Sequence, residues 1–226
     1  MARKAQRRKT TTRPAASTAR PRASDGHSSD DHIIDAAMSL VGTNGWRRTG
    51  LADIAAEAGV SLGELYSRFR SKGAILDAFV QRIDRATLEG ADKVASDDTT
   101  SVRDRLFDLI MRRFDALAPH KAAVAALARD LPATPMAALC TGGRLCRSMA
   151  WMASVAGVPT AGPLGMLRIK GLVALYLYAM RVWLHDDSDD HAKTMSALDA
   201  ALRRAEMFAQ SVPASFPFKR PRRATS

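Results

Sequence analysis

Apolar residues recur with a helical period from residue 31 to residue 211, and no run combines apolar–polar alternation with β-branched enrichment. Recurrence at every third and fourth position is typical of amphipathic helices, whereas alternation is typical of strands. The sequence therefore predicts an all-α protein. Ser29, Ser61 and Ser71 are the expected N-caps of three early helices. Gly42 and Gly45 are expected to end the first helix.

The later apolar repeats predict the rest of a helical body. Helices are expected over residues 72–95, 101–117, 119–132, 136–155 and 164–184, and a last helix follows a turn at 186–190. Ser188 is the expected cap of that last helix. Its apolar stripe, which we expect to form the seam of a dimer, consists of Met195, Leu198, Leu202 and Met207.

The segment 51–69 predicts two short helices joined by the tight turn Gly59–Val60–Ser61. Two helices joined in this way form a helix-turn-helix unit, whose second helix can enter the major groove of DNA. Ile54, Ala55 and Leu65 are spaced to face inward. The residues left outside at the start of the second helix are small or polar, which suits a DNA groove.

Residues 33–79 read IIDAAMSLVGTNGWRRTGLADIAAEAGVSLGELYSRFRSKGAILDAF. Gly45–Trp46, Thr49, Ala58–Ser61, Leu65–Tyr66 and Ser71–Lys72 stand there at fixed spacing without a gap. This pattern closely resembles the DNA-binding domain of TetR-type transcriptional regulators over roughly residues 31–80. The resemblance implies a ligand-responsive repressor that binds an inverted-repeat operator in double-stranded DNA as a homodimer.

The resemblance also implies roles for individual residues. Tyr66 and Lys72 would contact phosphates, and Thr49 would touch the DNA backbone. Arg68 is the best candidate for a guanine contact by its chemistry. The whole implied DNA-contact set is Thr49, Ser61, Leu62, Gly63, Tyr66, Ser67, Arg68 and Lys72.

The net charge of +11 is concentrated at the two ends of the chain. Residues 1–30 carry +6 and residues 212–226 carry +4, so residues 31–211 are almost neutral. Such Ser-, Thr-, Ala- and Pro-rich basic segments are typical of disordered arms that bind polyanions without sequence preference. We therefore expect a disordered basic arm at 1–28, a helix-turn-helix domain at 29–80, a helical ligand-binding and dimerisation domain at 81–211, and a disordered basic tail at 212–226.

The C-terminal region contains candidate residues for a ligand pocket, although methionines of this kind also serve as adaptable core. A weaker resemblance to lipid-binding proteins of ubiquinone biosynthesis is carried by 118–120, 147–151 and 183–188. It implies an alternative function, the binding of an isoprenoid or other lipid with a vestigial helix-turn-helix. The effector of the regulator is accordingly an unknown small molecule or lipid. The candidate pocket residues are Met149, Trp151, Met152, Met166 and Met180.

Other function classes find little support in the sequence. There is no nucleophile elbow, P-loop, dinucleotide fingerprint or zinc-ligand set, so we expect no enzyme activity, no cofactor and no metal. The acidic run at 185–191 is interpreted as a turn between helices rather than a metal site. Cys140 and Cys146 form no disulfide framework, no signal peptide is evident, and no membrane span is expected, so a cytoplasmic location is predicted.

Overall fold

A computed structural model of the chain describes residues 23–89, 91, 99–133 and 135–211. These residues form α-helices, two short 3-10 turns and loops, with no strand among them, which confirms the all-α prediction. The expected basic segments at 1–22 and 212–226, and the expected end of the fourth helix near residue 95, lie outside the described residues. The helices are α1 (Ala23–Asn44), α2 (Leu51–Glu57), α3 (Leu62–Arg68), α4 (Lys72–Leu88), α5 (Val102–Leu117), α6 (Lys121–Asp130), α7 (Pro135–Val155), α8 (Gly162–Leu184) and α9 (Ala192–Ser211).

Serine caps fix the start of three of these helices. The hydroxyl oxygens of Ser61, Ser71 and Ser101 each accept a hydrogen bond from the backbone N–H three residues later, at the first turns of α3, α4 and α5. These bonds satisfy N–H groups that have no partner inside the helix. The predicted caps Ser61 and Ser71 are therefore confirmed.

The first helix begins before its predicted start, whereas its end just before Gly45 agrees with the prediction, and Gly45 has φ = +86°. It spans Ala23–Asn44, so Ser29 lies inside the helix instead of capping it, and residues 23–28 of the expected disordered arm are helical. Gly42 also lies inside the helix. A Cβ at Gly42 would lie 3.3 Å from the backbone nitrogen of Ala123, so this glycine allows α1 to approach α6 closely.

The last two helices, α8 and α9, pack against each other. Helix α8 also contacts α7, and α9 also contacts α5. Leu198 is fully buried and Leu202 is 4% exposed within the single chain, whereas Met207 is 60% exposed. The predicted dimer seam is therefore wrong at Leu198 and Leu202, because the protein's own core already covers them. An apolar stripe along a helix predicts which residues are buried, but it does not tell whether they pack against the same chain or against a second copy.

The turn before α9 also differs from its prediction. Asp186 is buried, and its carboxylate accepts hydrogen bonds from the backbone and side chain of both Ser188 and Thr194. The hydrogen bond from Ser188 is the largest cause of a lowered pKa at Asp186. Ser188 thus supports Asp186, while Asp190 accepts from the N–H of Ala192 at the start of α9. No group of three or more His, Cys, Asp or Glu in the described part of the chain is placed to hold a metal.

Candidate DNA-binding surface

Helices α2 and α3 meet at a sharp turn that only a few residue types tolerate. Gly59 has φ = +63°, a left-handed conformation that is costly for residues with a Cβ. The next N–H, that of Val60, donates to the carbonyl of Ala55 at 3.0 Å. Ile54 on α2 and Leu65 on α3 are both fully buried, which fixes the angle between the two helices. The predicted helix-turn-helix unit is present.

The start of α3 presents a mixed apolar and polar surface to solvent. Leu62 is 54% exposed and Tyr66 is 59% exposed, and Gly63 and Ser67 are also exposed. Large exposed apolar side chains at the start of a recognition helix can contact thymine methyl groups. The hydroxyl of Ser61 serves as the α3 cap, so its available role at this surface is that of an anchor for the helix.

Two of the expected DNA contacts have partners inside the protein. Thr49 is 2% exposed, and its hydroxyl donates to the carbonyl of Gly45 at 2.8 Å. The Lys72 amine donates to the carbonyls of Trp46 at 2.5 Å and Thr49 at 2.8 Å, and it lies 4.5 Å from the centre of the Trp46 ring. Burial lowers the pKa of Lys72. The hydrogen bonds of Lys72 thus hold the loop between α1 and α2 against the start of α4.

The recognition-helix arginine is also engaged. Arg68 forms an ion pair with Asp30 of α1 at 2.7 Å and lies 3.7 Å from Glu64, one turn earlier on α3. The Arg68 side chain is 27% exposed and that of Asp30 is 42% exposed. A guanine contact by Arg68 would therefore require the guanidinium to exchange the Asp30 carboxylate for a base edge.

Known proteins share the domain that carries this surface. The family model of bacterial regulatory proteins of the tetR family matches residues 33–79. A TetR transcriptional regulator from Nitrosomonas europaea ATCC 19718 is 27% identical, with 79% of this chain and 98% of that chain covered and a TM-score of 0.61. Residues 33–79 thus form a DNA-binding domain of the tetR family, and the chain has the fold of TetR-type transcriptional regulators.

Other solved structures share the regulator's fold at lower identity. A TetR transcriptional regulator from Rhodococcus sp. RHA1 is 20% identical, with 80% of this chain and 96% of that chain covered and a TM-score of 0.57. A comparison with curated proteins gave no match. The resemblance to lipid-binding proteins of ubiquinone biosynthesis thus stays a prediction.

The five candidate pocket residues of the regulator do not share one environment. Met149 and Met152 on α7 are buried in the core, and Met180 on α8 is partly buried. Trp151 is 62% exposed and Met166 is 59% exposed. A separate open cleft of about 410 Å³ lies on α8 and α9, and none of the five lines it. Its lining residues are Tyr178, Arg181, Val182, His185 and Lys193.

The C-terminal helices are joined by a buried polar cluster that sequence reasoning missed. Arg113 of α5 is 4% exposed; it pairs with Asp84 of α4 and donates to the hydroxyl of Tyr176 on α8 at 3.1 Å. The second Asp84 oxygen accepts from Ser148 of α7 at 2.7 Å. Phe114 stacks on the Tyr176 ring at 5.5 Å. The only sequence signal was an arginine next to the apolar stripe of α5.

Proposed function

We propose that the regulator binds an inverted-repeat operator as a homodimer, and that an effector bound by its C-terminal helices relieves repression. The effector is a small molecule or lipid. The observation that carries the proposal is the large apolar surface left on α8 and α9. DNA binding of this kind would operate in the cytoplasm.

Helices α8 and α9 expose large apolar side chains although they pack against each other. Leu177 and Tyr178 of α8 are 48% and 49% exposed, and Met207 and Phe208 of α9 are 60% and 68% exposed. Contiguous apolar surface is rare on soluble monomers and usually marks an interaction site. A two-fold copy of the same helix pair would cover it and form a four-helix contact.

A lipid bilayer is a less suitable cover for α8. Among the described helices, this one is long and apolar enough to cross a membrane, and 28% of its most apolar 18-residue stretch is buried inside the protein. However, Arg168, Lys170 and Arg181 lie along it. Charged side chains are expensive at the centre of a bilayer. A second copy of the chain accommodates them more easily, because their charged ends can stay in water.

Signal transmission would run through α4, which follows the helix-turn-helix directly. Asp84 of α4 bonds to Arg113 and Ser148, and Asp77 of α4 pairs with Arg144 of α7. An effector that moves α5 or α7 would therefore displace α4. In a two-fold dimer the recognition helices must lie roughly 34–36 Å apart to occupy successive major grooves, so a small rotation of α4 would change operator affinity.

The dimer is tested at an exposed residue of α8. Tyr178→Glu should sediment as a monomer at micromolar concentration, keep its helical circular dichroism and lose operator binding, whereas Tyr178→Phe should stay dimeric. Leu198→Glu is unsuitable, because Leu198 is buried within the single chain and a carboxylate there would unfold it. A wild type that sediments as a monomer would contradict the proposal.

The operator is tested by selection of bound duplexes from a random pool. Enrichment of a palindrome with half-sites one helical turn apart would support the regulator described above. An unenriched pool, together with an isoprenoid lipid extracted from the purified protein, would favour the lipid-binding alternative.

A further inference from the structure

The open cleft of about 410 Å³ is formed by the C-terminal helices alone. Tyr178, Arg181 and Val182 come from the last two turns of α8, and His185 follows directly after that helix. Lys193 lies in the first turn of α9. Concave sites of this size, with an apolar wall and a few polar groups, are typical of sites for small organic molecules.

The cleft carries positive charge without a matching acid. None of its five lining residues is acidic, whereas Arg181 and Lys193 are cations. The guanidinium and the ammonium have no ion pair or hydrogen bond with any residue that the structure describes. Clefts lined by charges of one sign concentrate the electrostatic potential. This one therefore favours a ligand that carries a negative charge.

The acids of the turn between α8 and α9 do not neutralise these two cations. Asp186 is buried and bonded within the turn, and Asp190 accepts from an N–H at the start of α9. Asp187 lies 3.9 Å from the ammonium of Lys121 on α6. The fourth acid of the turn, Asp189, does not line the cleft. The positive charge of the cleft is thus left for a ligand.

The imidazole of His185 is held in one orientation at the edge of the cleft. Its Nδ1 lies 2.8 Å from the carbonyl oxygen of Arg181. Because a carbonyl oxygen can only accept, Nδ1 carries the proton and donates. This bond leaves Nε2 as the ring atom that can bond to a ligand. In the neutral ring Nε2 accepts a hydrogen bond, and in the protonated ring it donates one.

Tyr178 and Val182 supply the apolar side of the cleft. Tyr178 is 49% exposed, and Val182 is partly buried. An aromatic ring that stacks on a ligand ring gains more than the burial of area alone. Tyr178 also belongs to the exposed apolar surface that a second copy would cover. The cleft therefore borders the proposed dimer contact.

We propose that this cleft binds a small organic acid. Arg181 and Lys193 hold the acidic group, and the apolar body lies against Tyr178 and Val182. Carboxylates and phosphates share the oxygen geometry that a guanidinium recognises through two parallel hydrogen bonds. The role of the cleft as the effector site rests on the function proposed above, whereas acid binding can be measured without DNA.

Equilibrium dialysis of the full chain against naphthoate tests the site, with naphthol as the uncharged analogue. Naphthoate should bind roughly tenfold more weakly to Arg181→Gln and to Lys193→Gln, because each variant loses a charge-assisted hydrogen bond. Naphthol should bind more weakly than naphthoate and equally to all three proteins. Arg204→Gln, which changes an exposed arginine of α9 outside the cleft, is the matched control and should keep the wild-type affinity.

Two further probes separate the parts of the ligand. Naphthyl phosphate that binds more tightly than naphthoate would identify a phosphate as the preferred acidic group, and the reverse order would identify a carboxylate. Both probes should bind more tightly than inorganic phosphate, which has no apolar body. Inorganic phosphate that competes as well as naphthyl phosphate would overturn the proposed role of Tyr178 and Val182.

The possible failures are distinguishable. Equal naphthoate affinity in the wild type and both cleft variants would overturn the proposal. A weaker dimer in Arg181→Gln by sedimentation, with unchanged naphthoate binding, would also overturn it, because the cation would then belong to the contact between two copies. A wild type that binds naphthoate but neither dimerises nor binds DNA would remove the function proposed above and leave this site in place.

Discussion

The DNA-binding region and the C-terminal helices each contain an ion pair that joins two helices, and the two pairs differ in how deeply the arginine is buried. In the first, Arg68 and Asp30 form an ion pair with both partners partly exposed. In the second, Arg113 is 4% exposed and lies between Asp84 and the ring of Tyr176. A partly exposed pair can be exchanged for another partner at low cost, whereas a buried charge cannot be left alone. The first arrangement suits reversible contact with DNA, and the second suits the joining of helices.

The largest effect is therefore expected at Arg113. Arg113→Met should lower the free energy of unfolding by about 3 kcal/mol, because Asp84 loses its buried ionic partner. Chemical denaturation measures this change. Arg112→Ala removes the neighbouring exposed arginine of the same helix and should change stability by less than about 0.5 kcal/mol. A similar small loss for both variants would show that the buried pair does not join the helices.

The same contrast explains which features the sequence could predict. The caps Ser61 and Ser71 and the turn at Gly59 depend on residues within one or two turns of the chain, so local patterns were sufficient. Arg68 and Asp30 are 38 residues apart, and Arg113 and Tyr176 are 63 residues apart. Neither pairing can be predicted from the spacing of residues within one helix.

The candidate pocket residues also show that local sequence patterns do not predict which helices pack together. Met149 and Met152 on α7 have the same residue type as the exposed Met166 and lie beside the exposed Trp151 in the sequence, yet they are buried in the core. Gly42, expected to end α1, instead allows α6 to approach. In each case the outcome depends on which distant helix packs there, and composition does not specify that.

A smaller effect is expected at the turn of the helix-turn-helix. Gly59→Ala should cost about 1–2 kcal/mol, because alanine is strained at φ = +63° although no atom would lie within 4 Å of its Cβ. Gly63→Ala on α3 is the control, since Gly63 is helical and alanine there should be neutral or stabilising by up to about 1 kcal/mol. The melting temperatures of the two variants measure this difference in stability. Equal melting temperatures would show that the turn relaxes freely.

A still smaller effect on stability is expected at the exchangeable ion pair. Asp30→Asn should change the free energy of unfolding by less than about 1 kcal/mol, since both side chains are partly exposed. It should nevertheless raise DNA affinity, because Arg68 is released toward the groove. Asp35→Asn makes the same charge change beside Arg82 and is the control in the same gel-shift titration. An equal rise in both variants would attribute the effect to net charge alone.

The smallest effect is expected at His120, where the two regions meet. The ring packs edge-on against Phe79 at 5.1 Å, and its Nε2 lies 3.3 Å from the Arg82 guanidinium. Burial, and then the positive charge of Arg82, lower the pKa of His120.

The unfolded chain therefore binds this proton more readily, so stability is fully present above the unfolded pKa of about 6.5 and falls as the pH drops below it. His120→Gln should reduce that pH-dependent loss by less than about 1 kcal/mol between about pH 7.5 and 5.5, because a half-exposed ring is partly screened by solvent. His32→Gln changes an exposed histidine of α1 and should leave the pH dependence as it is in the wild type. The two variants could instead lose stability equally as the pH falls. In that case protonation of His120 beside Arg82 does not weaken the contact between the DNA-binding region and the C-terminal helices.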